Sequence, residues 1–180
     1  CLLSRGLGDV YKRQGLPIAT YFSLSKILWF LRNVDEVNKA KLDNDLCFGT
    51  IDSWLLYKLT GNHVTDVTNA SRTLLMDLDT LNWMENVINR LDIPLVSLPS
   101  IKPSMFNYGT NEEILKNVPI TAVLGDQQAS LFGQNCISSG DVKNTYGTGC
   151  FALTNTGSDI VHSNNGCLLY TSDAADDLLC

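Results

Sequence analysis

The tightest constraint on the fold lies in residues 118–134. Ile120, Thr121, Ala122, Val123 and Leu124 form an apolar, partly β-branched run of strand length. Gly125 breaks it. Asp126 then opens a second run, residues 127–134, in which Leu131 and Phe132 are expected on one helical face with Gly133 near the end. The pattern predicts a strand, a glycine break and a helix, with Asp126 at the junction. In an α/β sheet, junctions at the carboxyl ends of strands are where ligands sit. Asp is equally at home as an ordinary helix N-cap, so the junction alone leaves a structural and a chemical role open.

Composition narrows the classes. The chain has 180 residues, 44% hydrophobic and 18% charged, which suits one domain or two small units and excludes wholesale disorder. Its formal net charge is −6 and neither end carries a basic cluster, which argues against nucleic-acid partners and anionic membrane surfaces. No apolar run reaches spanning length and the first residues do not read as a secretory signal, so a cytoplasmic location without membrane insertion is expected. The six Cys form no Cys-x-x-Cys pair, and His63 and His162 are isolated, so no structural zinc site is expected. Residues 1–14 and 167–180 fit the rest poorly. Cys-Leu-Leu opens both Cys1 and Cys167 segments, and residues 171–177 are small and acidic without apolar period. Both ends are expected to be non-native and stand outside the fold reasoning; a flexible tail is the alternative.

Between them the elements can be read in order. Leu24, Ile27, Leu28 and Leu31 predict a helix that Ser23 could cap. Residues 35–45 predict a short helix with an exposed face. Residues 50–61 give the strongest helix pattern: Thr50 as cap, Ile51, Trp54, Leu55 and Leu59 as buried stripe, Gly61 as stop. Residues 64–78 read as loop with short strands. Asn82 could cap a helix from Trp83 to about Leu91, ended near Pro94, with Pro99 and Pro103 in an extended connection. Residues 136–141 read as a turn. Residues 143–146 and 150–154 predict two strands around Gly147-Thr148-Gly149. Trp29, Trp54 and Trp83 are expected in the core.

Several side chains could carry chemistry. Gly-x-Gly at 147–149 lets backbone N–H groups approach a phosphate and Thr148 could add a donor, although Gly-x-Gly is also a plain hairpin turn. Without Gly-Lys-Ser/Thr it is not a Walker loop. Tyr21 could hold a substrate through its hydroxyl or cap a core with that hydroxyl at the surface. Arg72 could bind phosphate, but a surface Arg is the simpler reading.

The strings carrying the most information are Pro-Ile-Ala-Thr-Tyr-Phe-Ser (17–23), Phe-Gly-Thr-Ile-Asp-Ser-Trp-Leu (48–55), Lys-Leu-Thr-Gly (58–61), Val-Thr-Asp-Val-Thr-Asn-Ala-Ser-Arg-Thr (64–73), Gly-Asp-Gln-Gln-Ala-Ser-Leu-Phe-Gly (125–133) and Lys-Asn-Thr-Tyr-Gly-Thr-Gly-Cys-Phe (143–151). In order and spacing, over about residues 15–166, they resemble the FGGY family of carbohydrate kinases, and within it the branch that phosphorylates glycerol. The resemblance implies an actin-like, ribonuclease H-like α/β fold, present in part: residues 15–135 as the later part of the first domain and 143–166 as the start of the second. It implies ATP with Mg2+ as cofactors and glycerol as acceptor, bound in the cleft between the domains. The family's catalytic Asp falls on Asp126, its glycerol contacts on Tyr21, Asp126, Gln127 and Phe151, and its nucleotide-binding Thr on Thr148. The family's opening phosphate loop, its metal-positioning Asp and most of its second domain are not in the sequence, so the segment in isolation is expected to be inactive. The loop at 111–117 lacks the Gly-Gly-x-Arg pattern with which some bacterial relatives bind a sugar bisphosphate, so that regulation is not expected. Homo-oligomerisation of the full-length protein stays open, as do two alternatives: an FGGY kinase for a pentulose or gluconate, and a non-catalytic actin-like nucleotide-binding domain.

Overall fold

The computed structural model describes residues 16, 18–111, 116–147 and 149–161. Both segments expected to be non-native, residues 1–14 and 167–180, lie outside the described residues. Three helices come first: α1 (Ser23–Asn33), α2 (Asp35–Leu42) and α3 (Ile51–Thr60). Strand β1 (Val64–Asp66) runs into the one-turn helix α4 (Val67–Ala70), and α5 (Glu85–Arg90) follows. A 3-10 turn at Leu95–Ser97 leads to β2 (Ser100–Lys102), which lies parallel to β1 with Val64 opposite Ser100. Strands β3 (Met105–Thr110) and β4 (Pro119–Ala122) form an antiparallel pair. Helix α6 (Asp126–Gly133) and the antiparallel hairpin β5 (Val142–Tyr146) and β6 (Cys150–Thr154) complete the described chain. No helix among the described residues is long and apolar enough to cross a membrane.

The core forms where helical spacing meets the loops around α4 and α5. Leu24, Ile27 and Leu28 of α1 are buried against Phe22, Leu74, Leu75, Ile88, Ile93 and Leu98. Each such side chain contributes roughly 1.5–3 kcal/mol by leaving water. The backbone locks the same contact, since Leu24 N–H donates to Thr73 C=O at 3.0 Å. Leu74 holds φ at +64° inside this core, a left-handed conformation that costs a non-glycine residue about 1–2 kcal/mol. Thr73 offsets it from both sides: its hydroxyl donates to Ala70 C=O at 2.7 Å and accepts Leu75 N–H at 3.1 Å.

Several expectations need correction. Ser23 does not cap α1; it is the first helical residue after Phe22, which makes no side-chain cap. Thr50 precedes α3 but spends its hydroxyl on Asp52 Oδ1 at 2.5 Å, whereas Gly61 closes α3 with φ +76° as expected. The stripe of α3 was placed on the wrong face. Ser53 and Leu56 are buried, while Ile51 is 77% and Trp54 57% exposed, with Leu55 also exposed. Trp29 is exposed too, and only Trp83 reaches inward, its indole N–H donating to Pro99 C=O at 2.7 Å. Helix α5 starts at Glu85 because Trp83 is held extended by a bridge to Met76, and Met84 N–H donates to Leu75 C=O at 2.8 Å. Asn82 therefore caps nothing and donates to Thr80 C=O. Residues 67–70 form a helix where a loop was expected, because Asp66 accepts from Thr68 and Asn69 N–H. In α6, Leu131 is buried with Gln128, and Phe132 is exposed.

The buried and the outward-facing positions respond oppositely to truncation. Ile88→Ala is expected to cost about 2–5 kcal/mol in urea unfolding. Trp54→Ser, on the outward face, is expected to cost less than about 1 kcal/mol.

Candidate active site

Helix α6 begins directly after the β4 strand and a three-residue link, so the predicted strand–glycine–helix junction is present. Asp126 is not its N-cap. Gly125 occupies that position, and Asp126 is the first helical residue, exposed, with Oδ1 accepting Gln127 N–H at 2.8 Å. The capping role is thus removed. Among the described residues Oδ2 has no partner, which leaves an open acceptor at the positive end of a helix, where a carboxylate is favoured.

What holds this junction in place is a buried carboxylate on a distant segment. Asp66 is fully buried. Its Oδ1 accepts Asn69 N–H at 3.0 Å and Asn69 Nδ2 at 2.7 Å, and its Oδ2 accepts Thr68 N–H at 3.0 Å, Thr68 Oγ1 at 2.6 Å and Ser104 Oγ at 2.7 Å. Thr68 Oγ1 in turn accepts Gly125 N–H at 2.7 Å. Ser104 C=O accepts Val123 N–H at 2.9 Å. The link ahead of Asp126 is therefore pinned at two points. Gly125 is required here by close approach: a Cβ would lie 2.8 Å from Gln128 Oε1 and 3.5 Å from Thr68 Oγ1.

A cleft of about 870 Å³ opens beside the junction. It brings together four of the five predicted site residues: Tyr21, Asp126, Gln127 and Phe151. Tyr21 is 75% exposed and packs edge-on against Phe22 at 5.4 Å. Phe151 sits on β6 opposite Thr145, its ring over Gly149, where a Cβ would lie 3.0 Å away. Gln127 is half-buried. The fifth, Thr148, lies outside the described residues. Arg72, expected at the surface, is half-buried, lines the cleft and stacks over the Phe22 ring at 5.0 Å. Three of the four residues expected in the α3 stripe, Ile51, Leu55 and Leu59, line the same cleft, and Trp54 does not.

Two contributors escaped the sequence reading. Lys143, read only as a hairpin residue, is 2% exposed and donates to Gln127 Oε1 at 2.6 Å and to Thr145 Oγ1 at 2.7 Å. Its place on the inward side of β5 follows from period two, with Thr145 on the same face and Val142, Asn144 and Tyr146 exposed. Asp66 fell within residues 64–78, expected only as loop with short strands, and its five donors come from both near and distant segments.

An acceptor carboxylate, an amide, a phenol and an aromatic ring thus meet around one cleft. Comparison with known proteins gives the family. The model of the N-terminal domain of the FGGY family of carbohydrate kinases matches residues 4–133, and the chain belongs to that family. The glycerol kinase of Renibacterium salmoninarum is 51% identical over 161 residues, 86% of this chain and 32% of that protein. The crystal structure of Plasmodium falciparum glycerol kinase with ADP superposes with a TM-score of 0.85 at 41% identity, covering 92% of this chain and 34% of that one. A ligand-bound xylulose kinase from Lactobacillus acidophilus superposes with a TM-score of 0.67 at 25% identity, over 79% of this chain and 30% of that one. The fold is thus the actin-like α/β fold of these kinases. The chain spans about a third of the length of the curated relatives it matches.

Thr68→Val keeps the shape of the side chain and removes its hydroxyl. Asp66 then loses one donor and Gly125 N–H its acceptor, so a loss of about 2–4 kcal/mol is expected. A denaturation midpoint within error of wild type would show that the link is held by other means.

Proposed function

We propose that the full-length protein carrying this chain transfers the γ-phosphoryl group of ATP to glycerol, in the cytoplasm, and that residues 15–135 and 143–166 belong to its first and second domains. The observation that carries this reading is the Asp126 carboxylate, excluded from capping and open into a cleft with Tyr21, Gln127 and Phe151. Identities of 51% and 41% to glycerol kinases, against 25% to a xylulose kinase, favour glycerol over a pentulose. A nucleotide binder without catalysis would have no use for an alcohol-orienting carboxylate beside an aromatic platform.

In this reading a glycerol hydroxyl donates its hydrogen bond to Asp126. Its oxygen forms the new bond to the γ-phosphorus as the bond to the bridging oxygen breaks, the electron pair leaving on ADP and the hydroxyl proton passing to Asp126. Gln127 holds a second hydroxyl, Tyr21 a further one, and Phe151 packs on the carbon chain. Because the transition state is largely metaphosphate-like, holding the alcohol in line matters more than nucleophile strength. Thr148 is proposed to donate to a nucleotide phosphate. Magnesium would accompany the ATP. Among the described residues no three His, Cys, Asp or Glu side chains gather into a site for it, so no step is assigned to it here.

Asp126→Asn in the full-length protein retains an oxygen for Gln127 N–H and alters only the charge at the start of α6, worth about 0.3–1 kcal/mol. Melting should barely move, the KM for ATP should hold, and kcat should fall about 100- to 10,000-fold, the range of a general base. Turnover above a third of wild type would remove Asp126 from the reaction.

A further inference from the structure

A buried ammonium that, among the described residues, has no carboxylate for a hydrogen-bond partner is the least expected feature of the hairpin. Lys143 is 2% exposed, and among the described residues its hydrogen-bond partners are two neutral oxygens, Gln127 Oε1 at 2.6 Å and Thr145 Oγ1 at 2.7 Å. Burying such a charge is costly, and an apolar side chain would fill the position opposite the buried Leu153 equally well. An ammonium has only donors. It can therefore accept just one orientation of the Gln127 amide, with the oxygen turned toward it. The amide nitrogen is then left to the cleft that Gln127 lines, and among the described residues nothing takes its two N–H groups.

We propose that Lys143 is a positioning residue that fixes the polarity of Gln127, so that Gln127 meets the acceptor polyol only as an N–H donor to a second hydroxyl. The proposal rests on the alcohol-kinase reading above. It deepens that reading by making substrate choice depend on a residue that does not touch substrate. Asp126 Oδ2 offers an acceptor and Gln127 Nε2 a donor on consecutive residues at the start of α6. A polyol whose reacting hydroxyl donates and whose second hydroxyl accepts satisfies both. If the amide could turn over, its oxygen would present a second acceptor, and the distinction between a polyol and a simpler alcohol would weaken. Lys143 also ties the hairpin to α6, so a loss of stability alone would not identify its role.

The test uses the full-length protein. Rates are compared for glycerol, propane-1,2-diol and propane-1,3-diol, each diol lacking one of the hydroxyls. Wild type should prefer glycerol strongly, because a site built to hydrogen-bond a hydroxyl rejects an analogue without it. Lys143→Met should reduce that preference at least tenfold in kcat/KM against one diol, with the KM for ATP unchanged within about twofold. Gln127→Glu pairs with Lys143 but has no donor. It should lose the same preference without a lower melting temperature, which carries the test if Lys143→Met does not fold. An unchanged preference in folded Lys143→Met, or Gln127→Glu with wild-type selectivity, would overturn the proposal. If wild type does not phosphorylate glycerol, the functional reading fails by itself. The Gln127 side-chain amide resonances then decide the polarity claim: a single pair in wild type that shifts or broadens in Lys143→Met supports it, and an unchanged pair refutes it.

Discussion

The described fold depends on one buried carboxylate. Asp66 ends β1, caps α4 through Thr68 and Asn69, and reaches 38 residues along the chain to Ser104. Removing an ion from water is costly unless its lone pairs are taken up, and five donors take them up here. Because those donors belong to different segments, the charge is satisfied only when β1, α4 and the loop between β2 and β3 have come together. Thr68 extends the arrangement by another 57 residues to Gly125. The position of Asp126 is therefore set by contacts to a residue that never enters the cleft.

The same arrangement explains where the sequence misled. Periodicity in α3 is real, but periodicity reports an apolar face, not what that face meets. In α3 the apolar residues Ile51, Leu55, Leu56 and Leu59 line the cleft, Leu56 being the buried one, and Ser53 turns inward. Ser53 is buried without a hydrogen-bond partner for its Oγ among the described residues, while the neighbouring Asp52 ties α3 to β1, its Oδ2 accepting Thr65 Oγ1 at 2.6 Å. The indoles of Trp29 and Trp54, expected in the core because they lie in expected helices, stay exposed. By contrast α1 and the hairpin of β5 and β6 were legible. Their partners are local or their spacing is strict, and in the hairpin Gly147 and Gly149 flank the turn between strands that pair over their full length.

The site was legible in a different sense. Residue types and spacing left Asp126, Tyr21 and the glycine turn each with an ordinary structural reading, and it was the order of several strings that pointed to a kinase. The structure then gathers Tyr21, Asp126, Gln127 and Phe151 at one cleft, although Tyr21 and Phe151 stand near opposite ends of the described chain. Lys143 and Asp66 could not be read in this way. Each draws its importance from partners in other elements, and a charged residue in a strand or turn is ordinarily a surface residue.

Gln127 and Asp126 also show why adjacency in sequence matters at a helix start. Successive residues in the first turn diverge by about a quarter turn around the axis, so their side chains serve different neighbours. Among the described residues Asp126 keeps an oxygen free, since the first turn offers an N–H group to only one of the two. Gln127 is turned toward the hairpin, where Lys143 can take only its oxygen. Two residues side by side thus present opposite hydrogen-bonding character to one space. A carboxylate pair there would repel itself; an acid held by its own helix turn and an amide held by Lys143 instead give one cleft an acceptor beside a donor.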